Sequence, residues 1–228
     1  MEKKIRFKFS KTGVLKYLSH LDIINIILRA MRRAGIPAKY TEGFNPKPRV
    51  TFGPPIPLGV ESQAEYADIS IIGDISPQDF ISAMNEKLEG KIIISDARDL
   101  PAAGIKSLMG QVDIAEYGII VGGSNAPGKV RELAEGLVSE LDMQDPVYGI
   151  EAVYTGDSPE DILLLVYGYT RTAKDRNEKV FKLRDFLQGL ESALKSNDLD
   201  IKRVLKKELY ILKDDKKLDP FEVLRLYV

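Results

Sequence analysis

Three closely spaced arginines, a fourth at Arg49 and a lone histidine carry the strongest chemical signal in this chain. Arg29, Arg32 and Arg33 stand at separations of three and four residues, which on a helix puts them on one stripe with Asp22 and Asn25. Guanidinium groups keep their charge at all relevant pH values and donate paired hydrogen bonds to phosphate or carboxylate, so such a stripe reads either as an anion-contact line or as a solvated edge paired with nearby acids. Acids are scarce there. The first sixty residues hold twelve Lys or Arg against Glu2, Asp22 and Glu42, a local balance of +9 in a chain whose total is −1, leaving about −10 for the remainder. A basic lobe joined to an acidic one draws polyanions to one end.

His20 is the only histidine, so no multi-histidine metal site exists, and no metal or cofactor is expected. At a helix N-terminus its protonated form is disfavoured, which suits a first-turn structural role or a neutral acid–base group. From Thr41 to Ser62 the chain has five prolines and three glycines, a stiff segment in which Tyr40, Phe44, Asn45, Lys47, Arg49 and Phe52 interleave aromatic with basic and polar groups. That mixture is what a single-stranded nucleic-acid surface uses, although a kinked connection between strands would also account for it. The candidate binding set is therefore His20, Arg29, Arg32, Arg33, Tyr40, Phe44, Asn45, Lys47 and Arg49. Glu42, Glu61 and Glu65 are possible supporting carboxylates, with Glu61 or Glu65 expected to form salt bridges to Arg29, Arg32 or Arg33. A later basic run, Arg171, Lys174, Arg176, Lys179, Lys182 and Arg184, adds either further binding charge or an ordinary exposed loop.

The elements that must position these groups follow from hydrophobic periodicity. Alternation predicts strands at Lys4–Phe9, Glu65–Ile72 and Lys91–Ala97, with extended chain through Pro37–Phe52, and helical spacing predicts helices at His20–Ala34 and from Pro77 to Leu88. Ser19 with Asp22 three residues on forms a capping-box signature, and the apolar residues from Leu21 to Met31 predict a first helix buried over most of its circumference. The pattern repeats with a strand near Val112–Val121, a helix at Gly128–Leu141, strands at Val147–Tyr154 and Ile162–Thr170, a helix at Phe181–Ser196 and a strand at Ile201–Leu212. The expected fold class is α+β, two tandem ferredoxin-like (βαββαβ) domains with antiparallel sheets. The predicted division is a basic domain 1–99 carrying the Pro-rich loop, a linker 100–110, an acidic domain 111–212 and an extension 213–228 too apolar for a free tail.

With 228 residues, 44% of them hydrophobic and 29% charged, the chain has the composition of a soluble globular protein. The lack of cysteine excludes disulfides, thiolate zinc sites and a Cys-ligated iron–sulfur cluster. No secretory signal is read at the N-terminus, and no apolar stretch approaches the roughly 20 residues of a membrane span. The expectation is a cytoplasmic protein with no membrane partner.

Lys11-Thr-Gly13, Leu18-Ser-His-Leu-Asp22, Arg29-Ala, Arg32-Arg-Ala-Gly35, Tyr40, Glu42-Gly-Phe-Asn-Pro46, Pro48-Arg49, Pro57-Leu-Gly59, Glu61-Ser62 and Glu65-Tyr66 together resemble the radical-SAM-linked domain of unknown function, a family associated with B12-binding radical SAM proteins. The resemblance is close over about the first seventy residues and extends in element order and in Lys207-Glu-Leu-Tyr210 to the second half. It implies a radical SAM protein as partner; without cysteine, this chain would not hold the usual cluster itself. The leading expectation is a non-catalytic accessory module whose basic first domain binds an anionic substrate, foremost RNA. One alternative is a metal-independent RNA-processing endonuclease using His20, as in CRISPR-type enzymes built on tandem ferredoxin-like domains. Another is a binder of a small carboxylate or phosphate through Arg29, Arg32 and Arg49.

Overall fold

A computed structural model describes residues 2–90, 92–101, 105–123, 136, 147–154, 161–170, 180–195, 198–214 and 216–227. The protein is of mixed α+β class, with few helices and antiparallel strand pairing throughout the recorded ladders. It divides into two compact units, Met1–Val112 with Ile211–Val228, and Asp113–Tyr210.

In the first unit the order is β1 (Glu2–Lys11), α1 (His20–Arg33), β2 (Val50–Phe52), β3 (Glu61–Ile72), α2 (Pro77–Leu88) and β4 (Ile93–Leu100). Strand β1 lies between β4 and β3, and β2 pairs with β3, giving the spatial order β4-β1-β3-β2. Period-two alternation in β1 sends Ile5, Phe7 and Phe9 into the core beneath the helices, where Phe7 meets Phe80 at 5.4 Å between ring centroids. Burying each such side chain contributes about 1.5–3 kcal/mol. Lys4, Arg6 and Lys8 consequently project from the other, helix-free face.

Local chemistry fixes both ends of α1. Asp22 N donates to Ser19 Oγ at 3.2 Å and Ser19 N donates to Asp22 Oδ2 at 3.1 Å, completing the expected capping box. At the other end Gly35, at φ 68°, lets Ile36 N reach Met31 O at 3.0 Å and Gly35 N reach Arg32 O at 3.2 Å, a Schellman closure. The helix is less enclosed than its sequence suggests. Ile23, Ile27, Ala30 and Met31 are buried, Ile24, Ile26 and Leu28 are half-buried, and Leu21 is exposed, because one side packs on the sheet and α2 covers only part of the rest. Asn85 of α2 holds β4 in register by donating to and accepting from the Ile94 backbone, both at 2.8 Å.

The stretch expected as a linker contains a short helical turn, α3 (Leu108–Gln111), with Leu108 wholly buried. The C-terminal residues belong to the first unit. Pro220 O accepts from Arg6 Nη1 at 2.9 Å, and Phe221 lies edge-on to Tyr66 at 5.4 Å and beneath the Arg98 guanidinium at 4.9 Å. Part of the helix-free face is thereby covered. A short strand, β9 (Lys216–Leu218), pairs with the end of β8 (Asp200–Lys213).

The second unit contains β5 (Ile114–Gly122), β6 (Val147–Tyr154), β7 (Asp161–Tyr169), α4 (Leu183–Lys195) and most of β8. Its strand order, β8-β5-β7-β6, repeats that of the first unit. Apart from Gly136, which is helical, the helix expected at Gly128–Leu141 falls outside the described residues.

Candidate functional site: a basic cleft and its rim

The chain between α1 and β2 is stitched to β3 before it turns outward. Lys39 N donates to Ser70 O at 2.8 Å, Arg49 N to Lys39 O at 2.7 Å and Ser70 N to Arg49 O at 3.0 Å. Tyr40 then pairs with Pro48, and Thr41 closes on Lys47 through two bonds, Thr41 N to Lys47 O at 2.8 Å and Lys47 N to Thr41 Oγ1 at 3.0 Å. Everything from Thr41 to Lys47 is exposed, and Phe44 at the tip shows 110% relative exposure, so no intramolecular packing accounts for this aromatic ring.

At the foot of this loop lies an open cleft of about 530 Å³ on the helix-free face. Its floor is a row across adjacent strands, Leu100, Lys4, Ser70 and Arg49, set by the Lys4↔Leu100 and Lys4↔Ser70 registers and by the Ser70–Arg49 bond. Lys106 and Ser107 come from the segment after β4, and Thr51 from β2. Lys4, Arg49 and Lys106 therefore surround one cavity. Its single acid, Asp68, is committed: Oδ1 accepts from Arg6 Nε at 2.7 Å and Oδ2 from Arg6 Nη2 at 2.9 Å. Among the described residues none of the three cations forms an ion pair, although Lys4 and Arg49 contribute to holding the exposed Glu2 carboxyl below its ordinary range, chiefly through its bond to Lys39.

The arginine stripe occupies a different place. Arg29, Arg32 and Arg33 line an open groove of about 490 Å³ with Ile26 and Leu88, on the helical side of the sheet. Arg33 is anchored, donating to Lys87 O and lying 3.6 Å from Glu89; Arg29 and Arg32 have no acidic partner among the described residues. The three share one stripe, as their spacing predicts, but Arg49 lies on the other side of the sheet, so the set Arg29, Arg32 and Arg49 expected to hold a small anion does not form one site. The expected salt bridges from Glu61 or Glu65 to these arginines do not form. Glu61 instead accepts from Gly13 N at 2.9 Å, and Glu65 lines a small pocket with Phe9, Lys11, His20, Ile23 and Ile56, because both belong to β3 at the opposite end of α1 from Arg32 and Arg33.

His20 is exposed and edge-on to Phe52 at 5.3 Å. Phe52 also meets Phe9 at 6.3 Å and packs against the core, so it is not part of the exposed aromatic surface expected for it. Glu42, Asn45 and Lys47 are exposed on the Thr41–Lys47 loop, Tyr40 is 46% exposed beside it, and none of them lines the cleft. Lys182 and Arg184 are exposed, whereas Arg171, Lys174, Arg176 and Lys179 fall outside the described residues. No group of three or more potential metal-ligating side chains occurs among the described residues.

The sequence reading missed Lys4, Thr51, Ser70 and Lys106. The parity of β1 already placed Lys4 opposite Ile5, Phe7 and Phe9; nothing in the sequence brought Lys106 to it. In the second unit the principal buried acid, Glu116, accepts from Tyr210 Oη at 2.6 Å and lies 3.4 Å from Lys207 Nζ, tying β5 to β8. Burial, with Glu116 and Glu151 nearby, pushes the Tyr167 hydroxyl up to about 12, and burial with the Glu116 hydrogen bond raises Tyr210 as well.

Fold and site together define an α+β protein with an open basic cleft rimmed by an aromatic loop. The chain belongs to the DUF2344 family, described as an uncharacterized protein conserved in bacteria, whose model matches residues 4–215. No curated protein matches it. Among solved structures it is similar to an unknown protein from Galdieria sulphuraria (11% identity, 93% of this chain and 100% of that one, TM-score 0.28) and to the acetolactate synthase small subunit from Thermotoga maritima (9%, 93% and 96%, TM-score 0.27). A putative glycine cleavage system transcriptional repressor gives 10% identity over 90% of this chain and 99% of that one, with a TM-score of 0.26. Similarities of that degree carry no argument about this chain. No helix among the described residues is long and apolar enough to cross a membrane.

Proposed function

We propose that this chain is a non-catalytic accessory module that holds single-stranded RNA at the rim of its first unit. The observation that carries the reading is Phe44, fully exposed at the tip of a closed loop and flanked by Asn45 and Lys47, with Arg49 at its base. An exposed ring on a stiff loop is a stacking platform for a base, and the cations at the foot of the loop track the backbone. The strand order of the first unit is that of a ferredoxin-like sandwich, and its repetition in the second supports a tandem arrangement; RNA-binding domains of this fold often use the helix-free face. Here Pro220 and Phe221 cover part of that face, which moves the contact to the loop and cleft side. In this reading Arg29, Arg32 and His20 lie off the primary contact, and the enzyme served is a radical SAM protein, as the sequence resemblance implies.

The test is titration of a fluorescent single-stranded RNA against the full chain and its Phe44→Ala variant at several salt concentrations. Loss of one stacked base weakens binding by about 1–3 kcal/mol, some 5- to 150-fold. If Lys4, Lys47, Arg49 and Lys106 all meet phosphates, log K falls against log salt with a slope of about −3. Unchanged affinity in Phe44→Ala, or salt-insensitive binding, rejects the reading. Cleavage to a 2′,3′-cyclic phosphate that is lost in His20→Ala would replace holding with catalysis.

A further inference from the structure

We infer that the cleft at the foot of the loop is a phosphate-monoester site. Its ligand is a small organic phosphate with a flat apolar body, the chemistry shared by a free nucleoside monophosphate and the phosphorylated end of an RNA strand. The RNA-end form rests on the function proposed above; the free form does not.

Charge selects the head group. Lys4, Arg49 and Lys106 line the cavity without ion pairs among the described residues, while both oxygens of Asp68 are occupied by Arg6. The cavity thus presents three positive charges; the one acid that lines it is held by Arg6, and the neighbouring Glu2 is bonded to Lys39. A phosphate monoester carries about −1.5 to −2 at pH 7, a better match than the single charge of a carboxylate or of an internal phosphodiester. Geometry places the charges suitably. Lys4 on β1 and Arg49 beyond β3 flank Ser70, two strand spacings or about 10 Å apart at the backbone, so their long side chains can converge on one group above it.

Hydroxyls complete the head-group end. Ser70 is only 4% exposed, its hydroxyl has no partner in the chain among the described residues, and Thr51 and Ser107 line the same cavity. The rest of the wall is apolar, built from Pro48, Leu100, Pro101 and Ile105, and suits a nucleobase or similar flat body. A volume of about 530 Å³ falls in the range of roughly 300–1,000 Å³ found for small-molecule sites. Access is open because the C-terminal segment covers the Arg6 and Tyr66 part of this face, while Lys4 stays exposed.

The test uses the full chain with adenosine 5′-monophosphate and adenosine as calorimetric probes, and one RNA decamer with either a 5′-phosphate or a 5′-hydroxyl. The variant is Lys4→Gln/Lys106→Gln, two exposed positions whose change leaves the core intact. The expected result is binding of the monophosphate at one per chain, at least tenfold tighter than adenosine, and at least tenfold weaker in the variant. Preference for the 5′-phosphorylated RNA, lost in the same variant, identifies the strand end as the source; equal binding of the two RNAs with phosphate-dependent nucleotide binding identifies the free nucleotide. Equal affinity for monophosphate and adenosine, or an unaffected variant, overturns the proposal. RNA binding that still depends on Phe44 would then leave the RNA reading standing, whereas nucleotide binding without RNA binding would do the reverse.

Discussion

Replacing Asp68 by Asn separates burial from display at the helix-free face. Arg6 has no exposed surface, and its guanidinium is held by two Asp68 contacts of 2.7 and 2.9 Å and by Pro220 O at 2.9 Å. Asp68 is 12% exposed in its side chain, so solvent screens the pair little. Asp68→Asn leaves a buried cation with one neutral acceptor in place of a bidentate carboxylate. Removing one partner of a buried pair costs about 3–5 kcal/mol, and the retained amide oxygen argues for the lower figure, about a 150-fold change in the folded-to-unfolded ratio. Urea unfolding of the full chain reads this directly as a shift in midpoint at constant slope. Because Arg6 also holds Pro220, near-ultraviolet signal from Phe221 and Tyr66 should weaken alongside. A loss below about 1 kcal/mol, the range of solvated surface pairs, would refute the reasoning that Arg6 is sealed under the C-terminal segment.

Other consequences are equally concrete. Ser19→Ala removes the hydroxyl half of the α1 capping box and should cost about 1 kcal/mol in thermal or urea unfolding, while Ser19→Asp should retain most of it. Phe44→Ala should leave stability within about 0.5 kcal/mol of wild type, since the ring touches little, even as RNA affinity falls. Spectrophotometric titration of the folded chain should show Tyr167 and Tyr210 lagging the exposed tyrosines. Tyr167 has a folded pKa near 12, above its unfolded 10, so its contribution to stability is complete below pH 10 and declines as pH rises from 10 through 12; Tyr167→Phe should flatten that decline.

Much of the architecture was legible because it rests on local rules. Alternation in β1, the Ser19–Asp22 cap, Pro77 at the start of α2 and Gly35 at the end of α1 each fix structure from neighbouring residues alone. The site was legible only in part. Helical spacing shows that Arg29, Arg32 and Arg33 share a stripe, but which side of the sheet that stripe occupies depends on α1 packing beneath β1 and β3, a long-range fact. For the same reason Lys4 and Lys106, about a hundred residues apart, line one cleft with no sequence signal. Phe52 misled because an aromatic among prolines looks displayed, yet β2 parity turns it inward to Phe9 and His20. Glu61 and Glu65 misled because the sequence does not say which end of α1 the start of β3 lies against; β3 carries them to Gly13 and the Lys11–His20 pocket.

The most direct test of RNA holding by the first unit is ultraviolet crosslinking in cells followed by mass spectrometry of the crosslinked peptides. The account predicts nucleotide adducts concentrated between Tyr40 and Arg49, with Phe44 or Tyr40 as the modified residue. Adducts confined to the second unit or to the Arg29–Arg33 stripe, or none above background, would contradict it.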